Sequence, residues 1–128
     1  MVFSFKDALA GAAAACYECR DREVVLTGED GRVTLSVTQV RGLASMRGFM
    51  FSRPSDRSFF FPGVDAIHMA FVPAPLDVWF LRLDRGAYIV LERRRVVPWQ
   101  YAHVRGANGI LETWPGRIEL PFSRLEFT

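Results

Sequence analysis

The sequence lacks the short motifs that identify the commonest enzyme classes. It contains no G-x-G-x-x-G fingerprint, P-loop, H-E-x-x-H, G-x-S-x-G or EF-hand loop. This absence argues against an NTPase, a dinucleotide-dependent enzyme and a zinc protease, whose chemistry needs those residues at those spacings. No apolar run approaches the roughly 18–20 residues that span a bilayer. We therefore expect no cofactor and no transmembrane segment.

Cysteine and lysine are also scarce. The two cysteines, Cys16 and Cys19, form a single C-x-x-C, and Lys6 is the one lysine among sixteen basic residues. A thioredoxin-like pair and half of a zinc site both have this cysteine spacing. Here the pair falls at the end of a predicted helix, and no second cysteine pair follows it. We interpret the cysteines as incidental and expect no metal site.

The sequence is instead rich in apolar and aromatic residues. Half of its 128 residues are hydrophobic, eleven residues are Phe, and the net charge is +2. This composition argues against intrinsic disorder, and the length fits one domain, residues 1–128, with an aromatic-rich core. The net charge is too small to imply a nucleic-acid or membrane partner by itself.

Hydrophobic periodicity predicts a small α+β domain. An alanine-rich helix over residues 8–19 would form most of an N-terminal extension, residues 1–22, and a period of three predicts a second short helix over 41–48. The predicted strands cover residues 24–27, 32–40, 59–61, 67–72, 76–83, 87–97 and 117–127. Because no βαβ alternation appears, we expect a mostly antiparallel, strongly curved, barrel-like sheet with one or two short helices.

Two histidines and one aspartate are the candidate polar centres. His68 lies in an apolar stretch, where a histidine is usually structural, and His103 lies in a predicted loop. Asp77 opens a strand that is otherwise apolar, and a buried carboxylate is costly unless it is paired or hydrogen-bonded. Asp77 therefore either accepts backbone N–H groups of the adjacent turn or pairs with an arginine such as Arg47. Alternatively, it anchors the mouth of an aromatic pocket.

Residues 82–105 are locally basic, with six arginines against two acidic residues. Three stacking side chains lie in the same stretch, namely Trp99, Tyr101 and His103. Arginines and aromatic rings together are typical of single-stranded nucleic-acid binding. Strand alternation, however, sends Arg93 and Arg95 to one face and Arg94 to the other, which divides the patch. A charged edge strand explains the arginines equally well, so nucleic-acid binding through residues 93–105 is the weaker interpretation.

Two separated blocks of residues carry a family resemblance. The first is Arg47-Gly48-Phe49-Met50-Phe51, and the second is His68-Met69 followed by Pro75-Leu76-Asp77. They are similar to the R-G-L-M-F, F-W-M-K-N-T and P-L-D segments of the DUF192 family, small prokaryotic domains of unknown function. Ile110-Leu111-Glu112 resembles the later V-L-E of that family. The resemblance covers residues 33–127 and implies a compact, barrel-like α+β core without an established reaction.

The resemblance breaks at one polar motif, because Ala70-Phe71-Val72 replaces the K-N-T of the family. Polar residues that occur singly beside dense aromatic sequence fit a mostly apolar pocket with a few orienting groups. We predict a non-enzymatic domain that binds a small ligand or a protein partner. The predicted binding residues are Arg47, Met50, His68, Met69 and Asp77.

One alternative is a hydrolase-type enzyme that uses Asp77 and a histidine as acid and base. It requires Asp77 to meet His68 or His103 in one accessible cleft. For localisation, residues 8–15 are too short and too weakly hydrophobic for a good signal sequence, although they precede Cys16 as in a lipoprotein cleavage site. We expect a cytoplasmic protein, with an exported or lipid-anchored protein as the alternative.

Overall fold

The computed structural model describes residues 19–41 and 56–128, and these residues form an all-β fold. The strands are β1 (Cys19–Gly28), β2 (Gly31–Val40), β3 (Ser58–Pro62), β4 (Ala66–His68), β5 (Leu76–Asp84), β6 (Ala87–Val96), β7 (Tyr101–His103), β8 (Gly109–Thr113) and β9 (Arg124–Phe127). These two stretches contain no helix, and hence none that could cross a membrane.

Seven of the strands close into a barrel, in the order β1-β2-β3-β8-β5-β6-β9, and β4 and β7 form a separate two-stranded sheet. Neighbouring strands are antiparallel except β2 and β3, which pair in parallel through Thr38–Phe59 and Gln39–Phe60. Barrel closure depends on β9, which pairs with both β1 and β6. Closure removes the exposed sheet edges that an open seven-stranded sheet would have.

Two long hairpins belong to the barrel, and turn chemistry explains the second of them. β1 and β2 are joined at Glu29-Asp30, and β5 and β6 at Arg85-Gly86. Arg85 and Gly86 have φ values of 52° and 84°. Positive φ at both central residues is typical of the type I′ turn, whose twist matches that of antiparallel strands.

Strand alternation separates two apolar cores. The barrel lumen is filled from the strands of the barrel, by side chains that include Val24, Leu35, Phe60, Trp79, Leu111 and Leu125. Alternate residues of β3, β5 and β8 point out of the barrel and form an outer core with the β4–β7 sheet. Members of this outer core include Phe59, Val78, Phe80, Ile110, Ile67 and Ala102. The β4–β7 sheet therefore covers one wall of the barrel from outside.

The predicted α+β class is wrong, because the described structure is an all-β closed barrel. The expected barrel-like sheet is confirmed. The predicted helices over 8–19 and 41–48 lie outside the described residues except for their terminal residues Cys19 and Arg41. Cys19 begins β1 instead of ending a helix, since the first residues of β1 form a ladder with the end of β2. Pairing with a neighbouring strand here overrides a local helix signal.

Three smaller corrections concern strand lengths and a loop. The predicted strand 67–72 ends at His68, where the chain turns with Val72 N–H donating to the Met69 carbonyl and Phe71 at a φ of 59°. The predicted strand 117–127 is reduced to β9, and of the residues before β9, Ile118 and Phe122 pack in the lumen core. His103, predicted in a loop, belongs to β7.

Candidate functional site

A buried carboxylate held by two arginines lies where β5 begins. The side chain of Asp77 is 1% exposed, although its carboxylate accepts hydrogen bonds from partners that reach the surface. Arg95 donates from Nε to Oδ1 at 2.9 Å and from Nη2 to Oδ2 at 3.4 Å. Gly116 donates its backbone N–H to Oδ2 at 3.2 Å, and Arg93 Nη2 lies 3.5 Å from the same oxygen. Asp77 therefore pairs with arginine, and the partners are Arg95 and Arg93. The backbone N–H comes from Gly116, on a distant part of the chain, and not from the adjacent turn that the sequence predicted.

The register of the β5–β6 pair places these groups. Asp77 is opposite Arg95, and Trp79 is opposite Arg93. The Arg93 guanidinium carbon is 5.3 Å from the centroid of the Trp79 ring, a cation–π distance. The Arg93 and Arg95 side chains are 54% and 56% exposed. Contacts with Asp77 and Trp79 thus hold the two arginines on their buried side. Each guanidinium group keeps N–H donors that face solvent.

Asp77, Arg93 and Arg95 line an open depression of about 340 Å³. Burial by itself acts to raise the pKa of Asp77. The Arg95 hydrogen bond, the Gly116 N–H and the positive charges of Arg95 and Arg93 outweigh burial and hold this pKa below its ordinary value. The same hydrogen bond and charge raise the pKa of Arg95. The three groups carry one net positive charge at neutral pH, so the depression favours anions.

Two buried hydroxyls continue the polar site across the barrel wall. Thr113 is opposite Asp77 in the β5–β8 pair, and Ser58 is opposite Thr113 in the β3–β8 pair. Ser58, Thr113, Asp77 and Arg95 therefore form a polar row across four neighbouring strands, on one face of the sheet. Ser58 Oγ and Thr113 Oγ1 are inaccessible to solvent, and no described residue hydrogen-bonds to either.

The opposite face of β8 carries a second buried acid, Glu112. Its cross-strand neighbours are Phe59 and Val78, both members of the outer core, and it is 7% exposed. No described residue donates a hydrogen bond to its carboxyl group, and burial raises the pKa of Glu112 to about 8. Glu112 is therefore a neutral acid at pH 7. The sequence marks Glu112 only as the single acidic residue between Gly109 and Trp114. Sequence analysis included it in the family resemblance but did not predict it as a site residue.

The described structure separates the predicted binding residues. Met69 is 1% exposed in the outer core, and His68 ends β4, in the sheet that covers the Val78 and Phe80 side of β5. Asp77 alternates to the opposite side of β5, so the two predicted residues do not meet it. Burial lowers the pKa of His68. Arg47 and Met50 lie outside the described residues.

The acid–base geometry of the enzyme alternative is not found in the part of the chain that the structure describes. His103 Nε2 lies 3.2 Å from Asp65 Oδ2, at an exposed position, and His68 is on the far side of β5 from Asp77. Within residues 19–41 and 56–128, no group of three or more His, Cys, Asp or Glu side chains could hold a metal ion. Cys16 lies outside these residues.

The exposed aromatic residues form a different surface from the arginines of the depression. The Phe71 and Trp99 rings are 5.0 Å apart, the two residues are 52% and 68% exposed, and Tyr101 is 70% exposed. Tyr101 belongs to the β4–β7 sheet, whereas Arg93 and Arg95 flank Asp77 on the other side of β5. The predicted division of the arginines is confirmed, because Arg94 lies over the Phe80 ring instead, at 5.7 Å.

Comparison with known proteins shows the fold. No family model matches the chain, and no curated protein matches it significantly. A solved structure of a "putative transcription regulator" from Sinorhizobium meliloti is similar with a TM-score of 0.68 and 22% identity, over 86% of this chain and 95% of that one. A protein of unknown function from Novosphingobium aromaticivorans is similar with a TM-score of 0.68 and 25% identity, over 83% of this chain and 84% of that one. The chain thus has the barrel fold of two solved bacterial proteins.

Proposed function

We propose that this protein is a non-enzymatic, DUF192-like domain that binds a small anion, a carboxylate or a phosphate, in the depression at Asp77. The observation that carries the proposal is the pair of half-exposed arginines held by one buried carboxylate. A protein partner, the other occupant considered from the sequence, has less support, since about 340 Å³ is the size of a small-molecule site.

The arginines are arranged for anion binding. Arg95 uses Nε and one Nη2 proton on Asp77, which leaves its Nη1 protons free, and Arg93 makes a single long contact with the same carboxylate. Planar guanidinium groups bind carboxylate and phosphate oxygens through paired hydrogen bonds. Because Asp77 and Trp79 already restrict both side chains, binding costs less side-chain entropy than at two mobile surface arginines.

Two observations support the family part of the proposal. The described strands form a closed barrel, which agrees with the barrel-like part of the α+β core that the resemblance implies for residues 33–127, and the aspartate of the P-L-D segment lines the depression. An aspartate that two arginines keep ionised is a weak base near neutral pH, which favours binding over acid–base chemistry.

The test is a titration of the protein with inorganic phosphate and with acetate, followed by NMR. We expect millimolar binding that shifts the resonances of Asp77, Arg95 and Gly116. Arg95→Gln is expected to weaken it by about tenfold, the effect of one lost charge-assisted hydrogen bond pair of 1.4 kcal/mol. Arg94→Gln, on the opposite face of β6, is the matched control. Equal loss in both variants, or no anion-dependent shift in the wild type, would contradict the proposal.

A further inference from the structure

We infer that an exposed aromatic platform, formed by Phe71, Trp99 and Tyr101 beside the β4–β7 sheet, binds a proline-rich segment of a protein partner. The platform is separate from the depression at Asp77, so this inference does not depend on the proposed function. It gives the domain a second ligand of a different chemical class.

The aromatic platform consists of large side chains that the fold leaves in solvent. Each of its three residues is more than half exposed, and the described residues contain no other exposed aromatic side chain. The Phe71 and Trp99 rings meet nearly edge to face, and Val97, two residues before Trp99, is also exposed. Exposed apolar side chains that are scattered singly are ordinary, whereas a cluster of them marks an interaction site.

The backbone holds two of the rings in a conformation that costs free energy. Phe71 and Trp99 have φ values of 59° and 69°, in the left-handed region that bulky residues rarely adopt. Their two turns are joined at Met69, whose carbonyl oxygen accepts the Val72 N–H at 3.3 Å and the Trp99 N–H at 3.0 Å. The Met69 N–H donates to the Gln100 carbonyl at 2.8 Å. Such strain concentrates at binding sites, where the surrounding structure fixes it. The two rings are therefore displayed in a fixed arrangement.

The segments that carry the aromatic platform have no net charge at neutral pH. Residues 65–76 and 96–107 contain one acid, Asp65, and one arginine, Arg105, besides two histidines. The acid and the arginine cancel, and the arginines of the depression lie on the other side of β5. Because nucleic acids and anionic membranes are bound through several basic side chains together, the platform suits an uncharged partner instead.

A polyproline II segment fits aromatic side chains that have polar tips. It presents apolar proline rings, and its carbonyl oxygens have no internal hydrogen bonds and need donors. The Trp99 indole N–H and the Tyr101 hydroxyl can donate to them. The Gln100 Nε2 protons can also donate, since Oε1 of that side chain accepts the Val97 N–H at 3.3 Å. Aromatic surfaces bind proline-rich segments in this way, and the preformed polyproline II helix loses little entropy.

Trp99 is itself the reporter for the test, because the other two tryptophans, Trp79 and Trp114, are each 3% exposed. The full-length protein is titrated with decaproline and with a glycine–serine peptide of equal length, and tryptophan fluorescence is recorded. We expect decaproline alone to shift the emission. Calorimetry should show that Trp99→Gly weakens decaproline binding by about tenfold or more, as for a central aromatic contact. Val33→Ala, at an exposed apolar position of β2, should leave it unchanged.

Stability measurements separate binding from a structural role. Glycine adopts positive φ without strain, so Trp99→Gly should unfold at the same urea concentration as wild type or at a higher one. Should Trp99→Gly be less stable, Tyr101→Ala decides, because it leaves both strained turns in place. Unchanged decaproline affinity in Tyr101→Ala would then overturn the inference.

The other outcomes also distinguish the possible partners. Equal binding of the two peptides would overturn the inference. Binding of an oligothymidine strand or of phosphatidylcholine vesicles, without binding of decaproline, would overturn it in favour of a nucleic acid or a membrane. Arg95→Gln should weaken phosphate binding and leave decaproline binding unchanged, so failure here and failure of the proposed function are distinguishable.

Discussion

Asp77 and Arg95 face each other because β6 carries one residue more than β5 between the turn and this pair. Leu81 pairs with Val90, but Phe80 pairs with Glu92, so Leu91 is the extra residue of a β-bulge. Without it, Arg94 would be opposite Asp77, and Arg95 would point to the other face. A single-residue bulge thus selects which arginine pairs with Asp77, as bulges commonly do where they redirect a side chain.

Asp77→Asn is expected to destabilise the protein by about 1–3 kcal/mol at pH 7, because it removes the charged acceptor of a buried hydrogen-bond network. The pKa of Asp77 is lowered in the folded state, so its contribution is present above the ordinary aspartate pKa and is lost as the pH falls through the folded pKa. Urea unfolding of wild type and Asp77→Asn at pH 7 and at pH 3 measures the contribution of Asp77 to stability. The difference from wild type should shrink at pH 3, and Asp30→Asn, in an exposed turn, should show little difference at either pH.

Glu112 gives the stability a pH dependence of the opposite sign. The folded pKa of Glu112, about 8, is above the ordinary glutamate pKa of 4.5, so the folded state binds the proton more tightly. Stability is therefore complete below about pH 4.5 and decreases between pH 4.5 and 8, by up to about 1.4 kcal/mol per pH unit. Glu112→Gln should remove this slope, whereas Glu119→Gln, at an exposed position, should retain it. Melting temperatures measured between pH 4.5 and 8 test this prediction. If the melting temperatures of wild type and Glu112→Gln fall in parallel as the pH rises, Glu112 is not the group responsible.

Arg85→Asn is expected to stabilise the protein by about 0.5–1 kcal/mol, because Asn tolerates positive φ better than Arg. Arg85 and Gly86 are the two central residues of the β5–β6 turn, and both have positive φ. Gly86→Ala should have the opposite effect, by about 1 kcal/mol or more, since it forces a Cβ into the same region. Chemical denaturation of both variants measures the two changes in the free energy of unfolding. Destabilisation by Arg85→Asn would show that the arginine side chain makes a contact worth more than the backbone strain.

Gly28→Ala should be among the most harmful small substitutions in the barrel. A Cβ at Gly28 would lie 2.0 Å from the Pro121 carbonyl oxygen, which is backbone and cannot rotate away. A Cβ at Gly109 would meet the Tyr88 ring instead, at 2.7 Å, and that side chain can shift. We expect a loss of about 3 kcal/mol or more for Gly28→Ala and about 1–3 kcal/mol for Gly109→Ala. Urea unfolding of the two variants provides the comparison, and a reversed order would argue that the segment around Pro121 adapts easily.

Local signals in the sequence predicted the parts of the fold that depend on neighbouring residues. The β1–β2 hairpin follows from alternating apolar residues around Glu29-Asp30, and the division of Arg93 and Arg95 from Arg94 follows from strand alternation. Asp77 was predictable as a buried polar centre because it opens a strand that is otherwise apolar as far as Leu81. Each of these inferences needs only a few adjacent positions.

The remaining features depend on contacts between distant residues. No local pattern marks Leu91 as a bulge, and a register counted back from the turn would pair Asp77 with the wrong arginine. The strand at Cys19 was predicted as a helix end because the pairing that extends it comes from β2. The polar row joins Ser58, Thr113 and Asp77 from three strands, so it becomes visible only once the strand order of the barrel is known.

The way in which β9 closes the barrel also determines when this protein can finish folding during its synthesis. Val24 of β1 pairs with Phe127 of β9, so nearly the whole described chain must have left the ribosome before the barrel can close. Until then β1 and β6 each keep an unpaired edge beside an incomplete lumen core, and such edges are templates for association with other chains. Folds dominated by distant contacts also fold slowly. A nascent chain halted before residue 124 is therefore expected to aggregate, because it lacks β9, the strand that covers the edges of both β1 and β6.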